Sequence, residues 1–471
     1  MTRLSIFGIV AAVATGVAAA DRPPNIVLVM ADDQGWNQMS CTGYAGVATP
    51  HLDAMAADGL RFSRFYAGGP TCSPTRASVL TGRTHFRTGV TTHGKCLRAQ
   101  EVTLTQLLRD AGYDTAHFGK WHLNGFRGPG VPILAGDRYA PAGFGFDEWL
   151  SVTNFFDLDP LMGTADGFVR RSGDSSEVIV DAALNYLRGR AGNGVDAPAF
   201  VVVWYGSPHS PWRGLEGDLK DASGEDERTR NYHAELAALD RSVGTLRAGL
   251  RELGIERDTL VWYCSDNGGL KQFAPASVGG LRGHKGDVWE GGLRVPAIVE
   301  WPGRIAPGVT DTVAGVVDML PTLLTVADIP PDVAPHRLDG IDISPLLAGE
   351  DMPRPEPLGF KAIGDASAWV DGDWKLIRAK KLLGKNRKQA LFHLGDDPTE
   401  TTDLSSAEPE RLAAMSAAFD AWLASVADSE AGRDYESGRV DPEPRTSVFW
   451  SEADEYTPFM DDLRPLARKK K

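Results

Sequence analysis

Three short runs of this chain are apolar without interruption, and each ends in residues capable of chemistry. Asn25-Ile26-Val27-Leu28-Val29-Met30 leads to Asp32-Asp33. Ala199-Phe200-Val201-Val202-Val203-Trp204-Tyr205 leads to His209. Thr259-Leu260-Val261-Trp262-Tyr263-Cys264 leads to Asp266-Asn267. A strand with one face in water alternates apolar and polar residues, so continuous apolarity predicts strands covered on both faces. Helical periodicity lies between the runs. Leu104, Leu107, Leu108 and Ala111 share one helical face, and so do Leu236, Leu239, Val243, Leu246, Leu250 and Leu253. Strands alternating with helices predict an α/β fold, a large doubly wound and mainly parallel sheet flanked by helices. Ligands of such sheets bind beyond the carboxyl ends of the strands, which is where Asp32, Asp33, Asp266, Asn267 and His209 fall.

With 471 residues the chain exceeds an ordinary single domain. Its character changes near residue 350, where Met352-Pro353-Arg354-Pro355-Glu356-Pro357 reads as a linker. Trp369 to Ile377 reads as a hairpin turning at Asp371-Gly372. Leu412, Met415, Phe419, Trp422, Leu423 and Val426 form a helical stripe. The expected division is a signal peptide over residues 1–20, a catalytic domain over 21–350, and a smaller C-terminal α+β domain over 351–471. Beyond Ser429 that last part is expected to be polar and loosely ordered, ending in a solvated Arg468-Lys469-Lys470-Lys471 tail.

The leader reading rests on Arg3, an apolar stretch from Ile6 to Val17, and Ala18-Ala19-Ala20 before Asp21. The apolar stretch is shorter than the ~20 residues of a membrane-spanning helix. No later stretch is long and apolar enough, so the expectation is an exported, periplasmic or secreted protein with no membrane span after cleavage. A net charge of −14 argues against nucleic-acid partners. Cys41, Cys72, Cys96 and Cys264 match no zinc spacing. Cys264 reads as a buried thiol, and pairing of Cys41 with Cys96 stays open.

The segment from Cys72 reads Cys-Ser-Pro-Thr-Arg-Ala-Ser-Val-Leu-Thr-Gly-Arg. Ser73 as a cap and Pro74 in the first turn predict a helix whose N-terminal N–H groups favour anions. Arg76 adds a permanent positive charge. Asp32, Asp33, Asp266 and Asn267 are hard oxygen ligands, suited to calcium or magnesium and not to zinc or copper. Lys120 and His122 stand two apart in Gly119-Lys120-Trp121-His122, so on an extended chain they would face the same way. His209 lies in Ser207-Pro208-His209-Ser210-Pro211-Trp212, and Lys285 in Gly283-His284-Lys285-Gly286. Neither stands out alone. The Glu290 to Pro296 stretch carries no assigned chemistry and is expected to shape the following strand.

The twelve residues from Cys72 resemble the signature of the formylglycine-dependent sulfatases, built on Cys-x-Pro-x-Arg, and the resemblance to arylsulfatases and N-acetylgalactosamine-6-sulfatases of the alkaline phosphatase superfamily spans nearly the whole chain. It includes Glu290 to Pro296 and the Leu391 to Glu400 segment. The resemblance implies that a maturation enzyme oxidises Cys72 to formylglycine, whose hydrate attacks sulfur, forms a covalent sulfate-enzyme intermediate and later expels sulfate. It implies one calcium ion, with magnesium an alternative, held by Asp32, Asp33, the modified Cys72, Asp266 and Asn267. By the same resemblance, Arg76, Lys120, His122, His209 and Lys285 complete the catalytic set. Lys120 would position the nucleophile, His122 would take the proton of its second hydroxyl, and His209 with Lys285 would bind sulfate and protonate the departing alcohol. A further sulfate contact is sought among Ser151, Thr153 and Asn154. The expected substrate is a sulfated small molecule or glycan, with selectivity in loops such as Arg127 to Tyr139 and Asp157 to Asp174. The sequence is silent on oligomeric state. Two rivals stand beside this reading. One is a metal-dependent phosphomonoesterase or phosphonate-ester hydrolase, which in two-metal form needs further His and Asp ligands. The other is a binding protein for sulfated glycans with an unmodified Cys72.

Overall fold

The computed structural model describes residues 22–224, 226–382 and 387–467. The leader reading and the Arg468 to Lys471 tail lie outside them. Among the described residues, eleven strands form one mixed sheet. Its centre is parallel. Asn25–Ala31 lies between Ala199–Trp204 and Thr259–Ser265, and Asp114–Lys120 and Glu148–Val152 follow on the Ala199 side. Antiparallel strands extend it outward: Arg294–Glu300 and Leu60–Tyr66 on one side, Leu161–Thr164 and Gly167–Arg170 on the other. The expected mainly parallel, doubly wound sheet is present, with antiparallel margins that the apolar runs do not signal.

The unbroken apolar runs serve two cores at once. Along the Asn25–Ala31 strand, Ile26, Leu28 and Met30 enter one core while Val27, Val29 and Ala31 enter the other. The first core also takes Ala77, Leu80, Leu104, Leu108 and Leu320, from the helices Cys72–Thr81, Leu104–Asp110 and Met319–Val326. The second takes Ile179, Leu184, Leu239, Val243 and Leu250, from Ser175–Gly192 and Glu227–Glu252. Burial of side chains on both faces, each contributing about 1.5–3 kcal/mol, fixes which end of every strand meets solvent.

A second sheet of four antiparallel strands, Leu358–Lys361, Ser367–Asp371, Trp374–Leu382 and Arg387–His393, follows in the chain. The hairpin turns at Gly372-Asp373, one residue later than the sequence suggests, because Asp371 still pairs with Trp374. The helix Pro409–Glu430 lays Met415, Phe419, Trp422 and Val426 against Trp369, Leu376 and Leu391.

The two sheets are tied by a buried ionic cluster. Lys375 Nζ lies 2.8 Å from Glu290 Oε1 and 2.9 Å from Glu400 Oε1, and Tyr66 Oη donates to Glu290 Oε2 at 2.9 Å. Burial alone would lower the proton affinity of Lys375, but Glu290 and Glu400 more than reverse this. Glu290, which the sequence leaves without a role, therefore joins the large sheet to the small one.

The chain beyond Ser429 departs from the loose tail expected of it. Val448-Phe449 pairs in parallel with Phe126-Arg127, and Trp450, Tyr456 and Leu463 pack with Phe126 and Val131. Arg445 holds both oxygens of Asp137 at 3.0 Å and donates to the Asn124 carbonyl at 2.7 Å. A few aromatic anchors in a polar segment suffice, and they are too sparse to show a period.

Replacing Lys375 by Met leaves two buried carboxylates facing each other. Chemical denaturation of the full chain should show a loss of about 3–5 kcal/mol, the scale for removing one partner of a buried ion pair. A change below about 1 kcal/mol would mean that the cluster does not secure the small sheet.

Candidate active site

Three strand ends are laced together by backbone hydrogen bonds that run past the sheet. Asp32 N–H donates to the Ser207 carbonyl at 3.0 Å, and Asp266 N–H to the Ala31 carbonyl at 3.1 Å. Asp33 turns out of the strand at φ 70°, a left-handed conformation that Asp tolerates better than most residues. Its N–H donates to Asp266 Oδ1 at 3.1 Å. On another strand of the parallel centre, Gly119 has φ 110°, and a Cβ there would stand 1.9 Å from the Trp204 carbonyl oxygen. Only glycine allows this approach, which delivers Lys120 beside Asp32.

Cys72 opens its helix from below. Ser73 is not the cap; Thr71 holds that position, and the Ser73 side chain bridges other elements. Ser73 Oγ donates to the His122 carbonyl at 2.7 Å and accepts from Gly94 N–H at 2.9 Å. Cys72 Sγ lies 3.4 Å from Asp32 Oδ1 and 3.5 Å from Lys285 Nζ. Burial and then Asp32 raise the proton affinity of this thiol far above its ordinary value. All four cysteines are free thiols, with Cys41 exposed and Cys96 and Cys264 buried.

Arg76 is fully buried. It donates to the Lys120 carbonyl at 3.0 Å and to Asp266 Oδ2 at 2.9 Å, with its guanidinium 5.1 Å from the centre of the Trp204 ring. Lys120 Nζ pairs with Asp32 Oδ2. Lys285 Nζ reaches Asp33 Oδ1 at 2.5 Å. Burial alone would raise the Asp32 carboxyl, yet Lys120, His209 and Arg76 hold it well below the usual carboxylate range. Asp266 is pushed up, by burial first and then by Asp32.

A cavity of about 320 Å³ opens above this cluster. Cys72, His122, His209 and Lys285 line it, whereas Arg76 and Lys120 lie behind the wall. His122 sits just past the strand end at φ 57°, so it reaches the cavity through a left-handed turn and not by extended alternation with Lys120. Both its ring nitrogens are buried without a partner among the described residues. Burial, then Lys120 and Arg76, hold the His122 imidazole neutral. His209 Nδ1 pairs with the Ser210 carbonyl at 2.6 Å, which makes Nδ1 the protonated nitrogen and leaves Nε2 facing Asp33 Oδ2 at 3.7 Å. Burial chiefly lowers its pKa to about 4. Phe155 stacks on the His209 ring at 4.8 Å.

Of the three further candidates, only Asn154 lines the cavity. Ser151 Oγ is bonded to His117 Nδ1 at 2.7 Å, and Thr153 Oγ1 accepts from Val131 N–H at 3.1 Å. Arg127 and Pro129, from the loop expected to set selectivity, also line it, together with His93, Phe155 and Phe449, which the sequence does not single out. No motif marks them, because they meet only through the C-terminal return.

The acidic groups suit a hard divalent cation. One ligand atom each from Asp32, Asp33, Cys72 and Asp266 lies within 4.8 Å of the others. Asp33 Oδ2 and Asn267 Oδ1 are buried acceptors with no hydrogen-bond partner among the described residues. Buried acceptors rarely go unsatisfied, and two aimed at one carboxylate cluster fit a cation. Asp32, Asp33 and Asp266 are also balanced by Arg76, Lys120 and Lys285, so a divalent ion would make the cluster net positive.

The sequence profile of the Sulfatase family matches residues 24–329. The chain belongs to the sulfatase family. A sulfatase is a sulfuric ester hydrolase, and nothing in the site conflicts with that. Human arylsulfatase A is 36% identical over 365 residues, covering 72% of this chain and 70% of that protein. Pig N-acetylgalactosamine-6-sulfatase is 31% identical over 478 residues, covering 88% of each. The crystal structure of Ps i-CgsB shares the fold with a TM-score of 0.75 at 22% identity, covering 95% of this chain and 98% of that one.

Metal analysis of the purified sulfatase should find about one divalent cation per chain, since one hard-ligand set is present. Asp266→Ala should reduce the bound metal as well as the activity. Two tightly held zinc ions would point instead to a two-metal esterase.

Proposed function

We propose that this sulfatase is exported and hydrolyses sulfate esters of a carbohydrate, using formylglycine made from Cys72 and one calcium ion, with magnesium as the alternative. The observation that carries the reading is the placement of Cys72. Its sulfur lies at the foot of the cavity between Asp32 and Lys285, where it marks the position the formylglycine oxygens would take. As a thiol it is a poor nucleophile, because burial and Asp32 suppress the thiolate. An unmodified thiol would thus serve poorly here, which supports formylglycine at this position, made by a formylglycine-generating partner enzyme. The relation to N-acetylgalactosamine-6-sulfatase supports a sugar ester, and the apolar leader supports export.

Formylglycine hydrate supplies two hydroxyls on one carbon, one to attack sulfur and one to expel the sulfate afterwards. Asp32, Asp33, Asp266 and Asn267 would hold a calcium ion, which when bound would supply positive charge to the anion site.

The remaining steps belong to the chain's own side chains. Arg76 holds Asp266, and Lys120 holds Asp32, from behind the cavity wall; both position the ligands and add to the local field. Lys285, which the Cys72 sulfur already contacts, binds the ester sulfate. His122 is neutral and has unpartnered nitrogens, as required of a base that takes a proton from the second hydroxyl. Burial chiefly lowers the proton affinity of His209. A sulfate docked beside Nε2 offsets the desolvation and raises its proton affinity, so that the ring and Lys285 can protonate the leaving oxygen. Asn154, the one candidate at the cavity wall, is assigned as a further polar contact to sulfate.

Peptide mass spectrometry after expression with a maturation enzyme should show an aldehyde in place of the Cys72 thiol, and Cys72→Ser should lose turnover. Full activity of a protein carrying only unmodified Cys72 would overturn the mechanism.

Leaving-group protonation has its own signature. A sugar alkoxide needs a proton as the S–O bond breaks, whereas a nitrophenolate leaves with little help. His209→Ala and Lys285→Ala should each cost roughly 10²–10⁴-fold in kcat/KM on a sugar sulfate, and clearly less on nitrophenyl sulfate. Equal losses on both substrates, in folded and matured variants, would leave these residues only a binding role.

A further inference from the structure

Lys285 and His209 approach the Cys72 sulfur. His122, His93, Arg127, Phe155 and Phe449 also line the cavity, and none of its lining residues is a carboxylate.

Arg127 is half-buried and closely held. Its guanidinium lies over the Phe449 ring at 4.6 Å. Its Nε is buried with no hydrogen-bond partner among the described residues. The aliphatic stem packs on Gly94, where a Cβ would come within 2.6 Å of Arg127 Cγ. Gly94 is in turn fixed from two sides: its N–H donates to Ser73 Oγ at 2.9 Å, and its carbonyl accepts from Ser447 Oγ at 2.6 Å. Ser73 adjoins the nucleophile and Ser447 adjoins the strand that carries Phe449. Arg127 is thus held in register with Cys72 before any substrate arrives.

An arginine fixed in this way, with an unpartnered nitrogen and no carboxylate on the surrounding wall, is a site for an anion. Burial, then the nearby Lys285, Lys120 and Arg127, also lower the proton affinity of His93, which agrees with an excess of positive charge there. On the sulfate-ester reading, Lys285 and His209 already serve the scissile sulfate. Resting on that reading, we propose that Arg127 binds a second anionic group of the same substrate, a carboxylate or a second sulfate, on the sulfated ring or the ring bonded to it. Phe155 and Phe449 supply flat apolar walls for the ring faces between the two charges. The guanidinium fork suits either anion through paired N–H donors, which an ammonium would not reproduce.

The test uses the full matured chain and compares R127Q with the wild type on paired substrates. The parent is 4-nitrophenyl sulfate. One arm adds a ring carboxylate ortho or meta to the ester, together with a sulfated hexosamine linked to a uronic acid. The other arm uses a hexosamine disulfate. Taking the ratio of wild type to variant on each substrate removes differences in intrinsic reactivity. R127Q should lose roughly 10- to 100-fold more kcat/KM on at least one doubly anionic arm than on the parent, chiefly through KM, as expected for loss of charge-assisted hydrogen bonds. The arm affected identifies the second anion. R127K, read in the same way, should recover only part of the loss, and it replaces R127Q if that variant does not fold. Equal losses on all substrates would overturn the proposal, as would a wild type that prefers neither doubly anionic arm. A matured wild type that hydrolyses no sulfate ester would overturn the sulfatase mechanism itself, and this inference with it.

Discussion

Three carboxylates and three cations share one buried cluster at the carboxyl edge of the central strands, and the rest of the molecule is arranged to sustain it. Asp32, Asp266 and Arg76 are without solvent contact, as is Lys120. Removing such charges from water is costly, and their mutual attraction offsets that cost only in good geometry. The geometry comes from the sheet: backbone bonds from Asp32 and Asp266 continue the ladder past the strand ends, so the acidic groups cannot drift apart. The offsetting stability comes from two apolar cores on either side of the same strands.

The same device recurs away from the cavity. Lys375 between Glu290 and Glu400 is a second buried ionic junction, and it joins sheets instead of preparing a reaction. The two clusters differ in what they leave unsatisfied. Around Lys375 even Glu400 Oε1, which makes no hydrogen bond among the described residues, lies 2.9 Å from the ammonium, while Asp33 Oδ2, Asn267 Oδ1 and both His122 nitrogens remain without hydrogen bonds among the described residues. Such atoms occur elsewhere too, but at the site four of them gather beside one carboxylate cluster.

Much of this was legible in the sequence because local pattern and chemistry coincided. Uninterrupted apolar runs fit strands buried on both faces, and their polar ends had to meet at one edge. The Cys72 helix was legible as well, but its cap was not, since Ser73 spends its hydroxyl on His122 and Gly94, which are distant in sequence. Alternation misplaced His122, because a left-handed turn after Lys120 breaks the extended geometry. Ser151, Thr153 and Asn154 could not be separated without knowing that His117 and Val131 occupy the first two. Arg127 was marked only as the start of a loop expected to set selectivity, and Phe449 carried no signal. Their meeting depends on a two-residue strand pair that neither segment announces.

That strand pair has a consequence for the order in which the molecule is built. The Arg445 bond to Asn124 spans 321 residues, and the Tyr456 bond to Pro132 spans 324. Contacts so remote in sequence form late, after the loop they close has already been ordered by nearer ones. The carboxylate cluster takes its ionic partners from residues up to Lys285 and its supporting core from residues up to Leu347, whereas part of the cavity wall comes from Phe449. A change near Phe449 therefore alters the wall of the cavity without removing any ionic partner of the carboxylate cluster.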